Sequence, residues 1–201
     1  MNLVIANPND ALRIYQRVNE SVACDFLMVT GGGVSKDATN RFVTELHNLG
    51  VDVNWSHNVS RETMSGIYSA TRESGGALLV TSLAESFGLV VVEALVHGVP
   101  VFCPRTHALP ELVAEGTNGF TFPVGNTTEV AGHLRKLFEK EQNFDSDAIV
   151  ASTPKACYPA ENFELFENTV ARNCAADLKK FGLKRVFEHK ASKRHPAIDV
   201  F

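Results

Sequence analysis

Short apolar runs, each followed by a stretch of helical periodicity, recur from residue 3 to residue 142. This alternation limits the fold more than any other feature of the chain. The runs are LVIA (3–6), DFLMVT (25–30), VDVNW (51–55), ALLVTS (77–82), VPVFCP (99–104) and GFTFPV (119–124). Between them, Leu12, Tyr15 and Val18 fall at helical spacing in 7–21. Phe42, Leu46 and Leu49 do so in 36–50, where Gly50 is placed to end the helix. Residues 60–74 predict a helix with Ser60 as N-cap and Glu62 in its first turn. Residues 127–142 predict another, with Val130, Leu134, Leu137 and Phe138 facing inward. Strands alternating with helices in this way predict an α/β fold, a Rossmann-like parallel sheet of about six strands with helices on both faces. The unbroken apolar character of the runs fits strands covered on both sides. The expected division is a domain over residues 1–150, then a C-terminal helix (160–181) and a charged tail within 151–201. Ligands of such sheets sit outside the carboxyl ends of the strands. Residues 31–33, 56–59, 82–88 and 104–110 are therefore expected along one edge.

Composition excludes several classes. The net charge is −4 with acids and bases mixed, so there is no basic footprint for nucleic acid. The cysteines, Cys24, Cys103, Cys157 and Cys174, stand far apart without a CxxC pair, which predicts reduced thiols and a cytoplasmic protein. Residues 1–6 lack the basic start of a signal peptide, and no apolar run approaches the roughly 20 residues of a membrane span. The histidines are dispersed, so neither a metal site nor a cofactor is expected.

The stretch ESFGLVVVE (85–93) carries the functional signal. Three consecutive valines favour a strand. A strand here would break the alternation, and Gly98 with Pro100 is a helix-stop signal, so a buried helix over about 87–97 is predicted. Glu93 then lies about 8 Å along it, and Glu85 lies in the loop before it. Both carboxylates are near a helix N-terminus, where free N–H groups and the dipole attract anions. A buried carboxylate needs a partner, and hydroxyls beside phosphate-binding amides suit a nucleotide sugar.

Glu85-x7-Glu93 with Phe87-Gly88-Leu89 between resembles the E-x7-E motif of retaining glycosyltransferases of the GT-B fold. The segment GVPVFCPRTHALPELVAEGTNGFTFPVGN is similar to the segment that follows that motif in the family. The stretch IYSATRESGGALLVTSLAESFGLVVVEAL resembles the sucrose-phosphate synthase and sucrose synthase branch. The resemblance covers about residues 25–140 and implies the donor-binding, C-terminal half of a GT-B enzyme. It implies a nucleoside diphosphate sugar, UDP-glucose the expected donor, and transfer of a hexose to an acceptor sugar with retention and without a metal. Glu85 would contact the sugar hydroxyls near the reacting carbon. Phe87, Gly88 and Leu89 would offer backbone N–H groups, and Glu93 would accept from the ribose hydroxyls. Residues 55–59, with Trp55 and His57, match the base-binding turn, and Gly31 and Gly32 resemble the first glycine loop.

The match has departures. The family's Arg and Lys after its first strand are absent; Asn7-Pro8-Asn9-Asp10 stands there, and the next cation is Arg13. His107-Ala108 replaces Gly-Gly before Pro110-Glu111. The acceptor-binding half does not fit in 201 residues, so a separate N-terminal half or self-association is expected. Three readings stay open: a fragment or subunit that pairs with the other half, a non-catalytic nucleotide-sugar-binding module, and a transferase acting through other residues. Structural roles also remain open for Trp55 in the core, for Glu85 as a helix cap and for Arg105 as a solvated surface charge.

Overall fold

The computed structural model describes residues 2–5, 7–30, 36–48, 54–83 and 85–154. The chain divides into two compact units, Met1–Thr153 and Pro154–Phe201, and the elements below belong to the first. The helix expected over 160–181 and the tail lie outside the described residues. The described strands are β1 (Asn2–Ile5), β2 (Phe26–Thr30), β3 (Asn54–His57), β4 (Leu78–Val80), β5 (Val101–Pro104) and β6 (Gly119–Phe122). They form one sheet in the order β3-β2-β1-β4-β5-β6, parallel throughout. The helices are α1 (Pro8–Asn19), α2 (Lys36–Asn48), α3 (Arg61–Glu73), α4 (Leu89–Val96), α5 (Leu109–Leu112), α6 (Thr127–Phe138) and α7 (Ser146–Ser152).

The sheet is sandwiched, as the apolar runs required. Ala11, Ile14 and Val18 of α1 and Val130, Leu134 and Leu137 of α6 close over Met28, Leu79 and Phe102 of the sheet, with Leu46 of α2 in the same cluster. Side chains alternate along a strand, so Leu78, Val80, Val101 and Cys103, all fully buried, serve the opposite face. There α4 lies against β4 and β5. Burial, and then the nearby Glu115 carboxylate, push the Cys103 thiol up to about 12, so it stays neutral and acts as a small apolar residue.

Local signals fixed most boundaries. Ser60 accepts from the Thr63 N–H at 3.2 Å and caps α3 as its sequence position predicts. The run LVVVEALV is helical, ended by Gly98 at φ +71. Two details differ from expectation. The described part of β3 runs to His57 instead of stopping at Trp55, because Asn54–His57 pair in register with Leu27–Thr30. The polar stretch NWSH has no apolar pattern to announce that pairing. Helix α7 has no counterpart in the sequence reading. Asp145 caps it by accepting from Ala148 N–H at 2.8 Å, and the fully buried Asn118 ties it to the loop after α5 by donating to Ser152 Oγ at 3.0 Å and Leu112 O at 3.3 Å.

Candidate functional site

The strand order reverses between β1 and β4, so a crevice opens at their carboxyl ends. The chain leaves β1 through Asn7 and leaves β4 through Thr81, Ser82 and Leu83. Thr81 Oγ1 donates to Asn7 O at 3.1 Å and joins the two sides. A recess of about 10 Å³ lies beneath, among Asp10, Thr81, Ser82 and Leu83, roughly the space of one water molecule. A larger groove of about 430 Å³ opens at the opposite edge, among Cys24, Gly76, Gly98 and Pro100, which precede β2, β4 and β5. The amino ends of parallel strands are not where such sheets bind their ligands, so the smaller crevice is the candidate.

Helix α4 starts at this edge. Gly88 is its N-cap at φ +79, and Glu85 Oε1 accepts the Gly88 N–H at 3.4 Å. A Cβ at Gly88 would come within 2.8 Å of Leu109 Cδ2 and 3.0 Å of Leu112 Cδ1, so glycine lets α4 begin directly against α5. The N–H groups of Leu89 and Val90, which open α4, have no acceptor within the helix, while Val91 N–H donates to Gly88 O at 2.9 Å. Glu85 is half-buried, while Phe87 and Leu89 are exposed. The cap contact and the placement beside an anion-attracting terminus both follow from the spacing read in the sequence.

Glu93 corrects the sequence reading. It was expected to be buried, and it is exposed. Val91, Val92, Ala94 and Leu95 occupy the buried sides of α4, and the remaining stripe, Leu89 and Glu93, faces open space. The carboxylate therefore stays hydrated, and desolvation creates no need for a ligand. Glu93 is still held. Tyr68, fully buried on α3, donates from its hydroxyl to Glu93 Oε2 at 3.2 Å and lies 3.4 Å from Val90 O. Burial, then the Glu93 charge and the hydrogen bond to it, push the phenol well above its usual range, so it remains a neutral donor. His97 extends this seam between the helices, with Nδ1 2.7 Å from Glu93 O and Nε2 2.9 Å from Ser65 Oγ.

The remaining sequence candidates separate. Trp55 and His57 stand within β3 and not in a loop. Trp55 packs against the core cluster, with its ring 6.1 Å from that of His57. The turn that follows is Asn58, in the left-handed region at φ 50. Gly31 and Gly32 lie outside the described residues. Tyr68 was missed, since a tyrosine in SGIYSAT reads simply as a helix residue with one apolar face.

A family model described as "Glycosyl transferases group 1" matches residues 6–152. The chain belongs to the group 1 glycosyltransferase family. A sucrose synthase of Acidithiobacillus caldus is 26% identical over 147 residues, covering 67% of this chain and 18% of that protein. The solved structure of the apo lipopolysaccharide outer core galactosyltransferase WaaB superposes with TM-score 0.67 at 18% identity, over 86% of this chain and 48% of that one. Anabaena HepE in complex with UDP-glucose superposes with TM-score 0.61 at 19% identity, over 87% and 48%. The chain thus has the Rossmann-like architecture of GT-B glycosyltransferase structures. It spans about half the length of these two and far less of the sucrose synthase.

In this group 1 glycosyltransferase domain the cations near the crevice are engaged elsewhere. Arg13, one turn into α1, lies 3.5 Å from Asp10 Oδ1, and Asn7 Nδ2 donates to Asp10 Oδ2 at 2.8 Å. Arg105, just after β5, donates through Nε and Nη2 to Thr121 Oγ1 and Thr121 O, both at 3.3 Å. Arg105 is exposed, as a surface charge is, while these two bonds tether its guanidinium to β6. Among the described residues no helix is long and apolar enough to cross a membrane, and no group of three or more His, Cys, Asp or Glu is placed to hold a metal ion.

The Tyr68–Glu93 contact has a direct check. Tyr68→Phe leaves the ring packing and removes the donor. Thermal unfolding should show a loss of about 1 kcal/mol. UDP affinity, read by calorimetry, should fall a few-fold as the carboxylate loses its fixed orientation. An unchanged affinity would mean that the contact serves only α3–α4 packing.

Proposed function

We propose that this domain binds a nucleoside diphosphate sugar, UDP-glucose as the expected donor, at the carboxyl edge of its sheet, and takes part in transfer of the hexose with retention of configuration. The observation that carries this reading is the pair of carboxylates, Glu85 and Glu93, flanking the first turns of α4 where that helix starts beside the β1–β4 crevice. The spacing is that of the E-x7-E motif. Glu85 is the residue assigned to the sugar hydroxyls near the reacting carbon. The backbone N–H groups at Phe87, Gly88 and Leu89 are assigned to the sugar or diphosphate, and Glu93 to the ribose diol. The base is assigned to the end of β3, with His57 and Trp55 at its border, and Gly31 and Gly32 are assigned to the nucleotide by their resemblance to the family's first glycine loop. Residues 1–150 would form the donor domain, and 151–201 an accessory helix and tail. That HepE is known with UDP and with UDP-glucose supports the donor class.

A second partner is part of the proposal. The large hydrophobic residues exposed among the described ones, Leu83, Phe87, Leu89 and Val124, all follow β4 or β6 at the carboxyl edge. Apolar side chains gathered on one edge favour a covering surface. A separate half bearing the acceptor site, or a second copy of this chain, fits that edge. The cations already engaged by Asp10 and Thr121 favour the alternative of a module that binds the donor without turning it over.

Titration calorimetry with UDP and UDP-glucose tests the reading. Heat of binding at micromolar to millimolar ligand is expected from both, and no heat at millimolar concentration would end the donor-site claim for this chain. A turnover assay with acceptor sugars, on the chain alone and with an N-terminal half, separates enzyme from binder.

A further inference from the structure

A leaving nucleoside diphosphate concentrates negative charge, and charge-assisted donors that stabilise such a group often dominate transfer. Among the described residues that follow β1, β4, β5 and β6, Arg105 is the lysine or arginine present before the helices begin, and its guanidinium bonds Thr121. The same loop contains a residue that the proposed function leaves unused. His107, exposed, adopts the left-handed region at φ 48. That conformation is unfavourable for a residue with a Cβ, and such strain gathers at functional sites.

The imidazole is also oriented. Thr106 Oγ1 lies 2.7 Å from His107 Nδ1 and 3.5 Å from Leu83 O. Thr106 Oγ1 thus stands between the ring and a carbonyl that can only accept. This line of contacts runs from His107 through Thr106 to the loop that leads from β4 to α4. It occupies Nδ1 and leaves Nε2 as the other end of the ring. A ring nitrogen that carries hydrogen donates, so Nε2 can give a hydrogen bond to a phosphate oxygen that approaches it.

We propose that His107 is a diphosphate-binding residue, donating from Nε2 to the donor's phosphates. This rests on the donor-site reading above. Thr106, in contact with both Nδ1 and Leu83 O, links the ring to the loop that leads into α4.

The test compares UDP with uridine, which has the same base and ribose and no phosphate. His107→Gly relieves the backbone, so its Tm should stay level or rise, and a lost affinity cannot be ascribed to misfolding. UDP affinity should fall about ten-fold while uridine affinity stays unchanged. His107→Asn, which tolerates the left-handed region but does not reach as far, repeats the comparison in case the glycine variant fails to fold. Unchanged UDP affinity would overturn the assignment, as would an equal loss for UDP and uridine, which marks a purely structural role. If wild-type protein binds uridine and UDP equally, the donor site stands and the phosphate contact falls. If it binds neither, the donor-site reading itself falls, and this assignment with it.

Discussion

Glu93→Ala is expected to weaken UDP binding about 100-fold in calorimetry. The proposed role has one carboxylate accepting from two vicinal hydroxyls, and hydrogen bonds to a charged group contribute about 1.5–3 kcal/mol each. Exposure of Glu93 argues for the lower end of that range, because water competes for the carboxylate in the free protein. The variant should fold. The Tyr68 hydroxyl keeps Val90 O within 3.4 Å, and alanine is well suited to a helix interior. The ligand supplies the decisive control. An analogue of UDP lacking both ribose hydroxyls should bind wild-type protein as weakly as UDP binds the variant, and the variant should not distinguish the two. If wild type also treats them alike, Glu93 does not read the ribose, whatever the effect of the mutation.

Gly119→Ala should cost about 4 kcal/mol or more, at the far end of what one methyl group does. Gly119 opens β6 opposite Val101, and the two strands are held there by Val101 N–H donating to Asn118 O at 2.9 Å. A Cβ would overlap the Val101 carbonyl oxygen, and Val101 N would lie only 3.0 Å away. The obstacle is strand backbone and not the tip of a flexible side chain, so relief requires breaking the β5–β6 pairing. For a chain of this size the Tm should fall by roughly 10 °C. Gly132→Ala is the control. It lies within α6, a Cβ there meets nothing within 4 Å, and it should raise stability by up to about 1 kcal/mol. A Tm for Gly119→Ala within 2 °C of wild type would refute the close approach of β5 and β6.

Much of the architecture was legible in the sequence because it is written locally. Six apolar runs separated by helical periodicity leave few solutions besides a parallel sheet with helices on both faces. Ser60 and Gly98 mark helix ends through their own backbone chemistry. The valine run from 90 to 92 was helical for a topological reason. A strand there would have stood between β4 and β5, which pair directly. The spacing of Glu85 and Glu93 likewise determined that one carboxylate stands in the loop before α4 and the other within that helix.

What the sequence could not give depends on residues far apart in the chain. Tyr68 meets Glu93 across 25 positions, Arg105 meets Thr121 across 16, and Asn118 meets Ser152 across 34. No period or spacing encodes such contacts. Apolar flanks on both sides of Glu93 predicted burial, yet tertiary packing turned Val91, Val92, Ala94 and Leu95 inward and left the carboxylate exposed. β3 took its register from β2, and that carried the strand past Trp55 and brought His57 out of the expected turn into the sheet. The sequence alone thus determined the order of the strands and of most helices, and the residue types that follow the carboxyl ends of the strands. Only the tertiary structure decided which of those side chains are free, because a cation or carboxylate becomes available or occupied through partners that folding brings within about 3 Å.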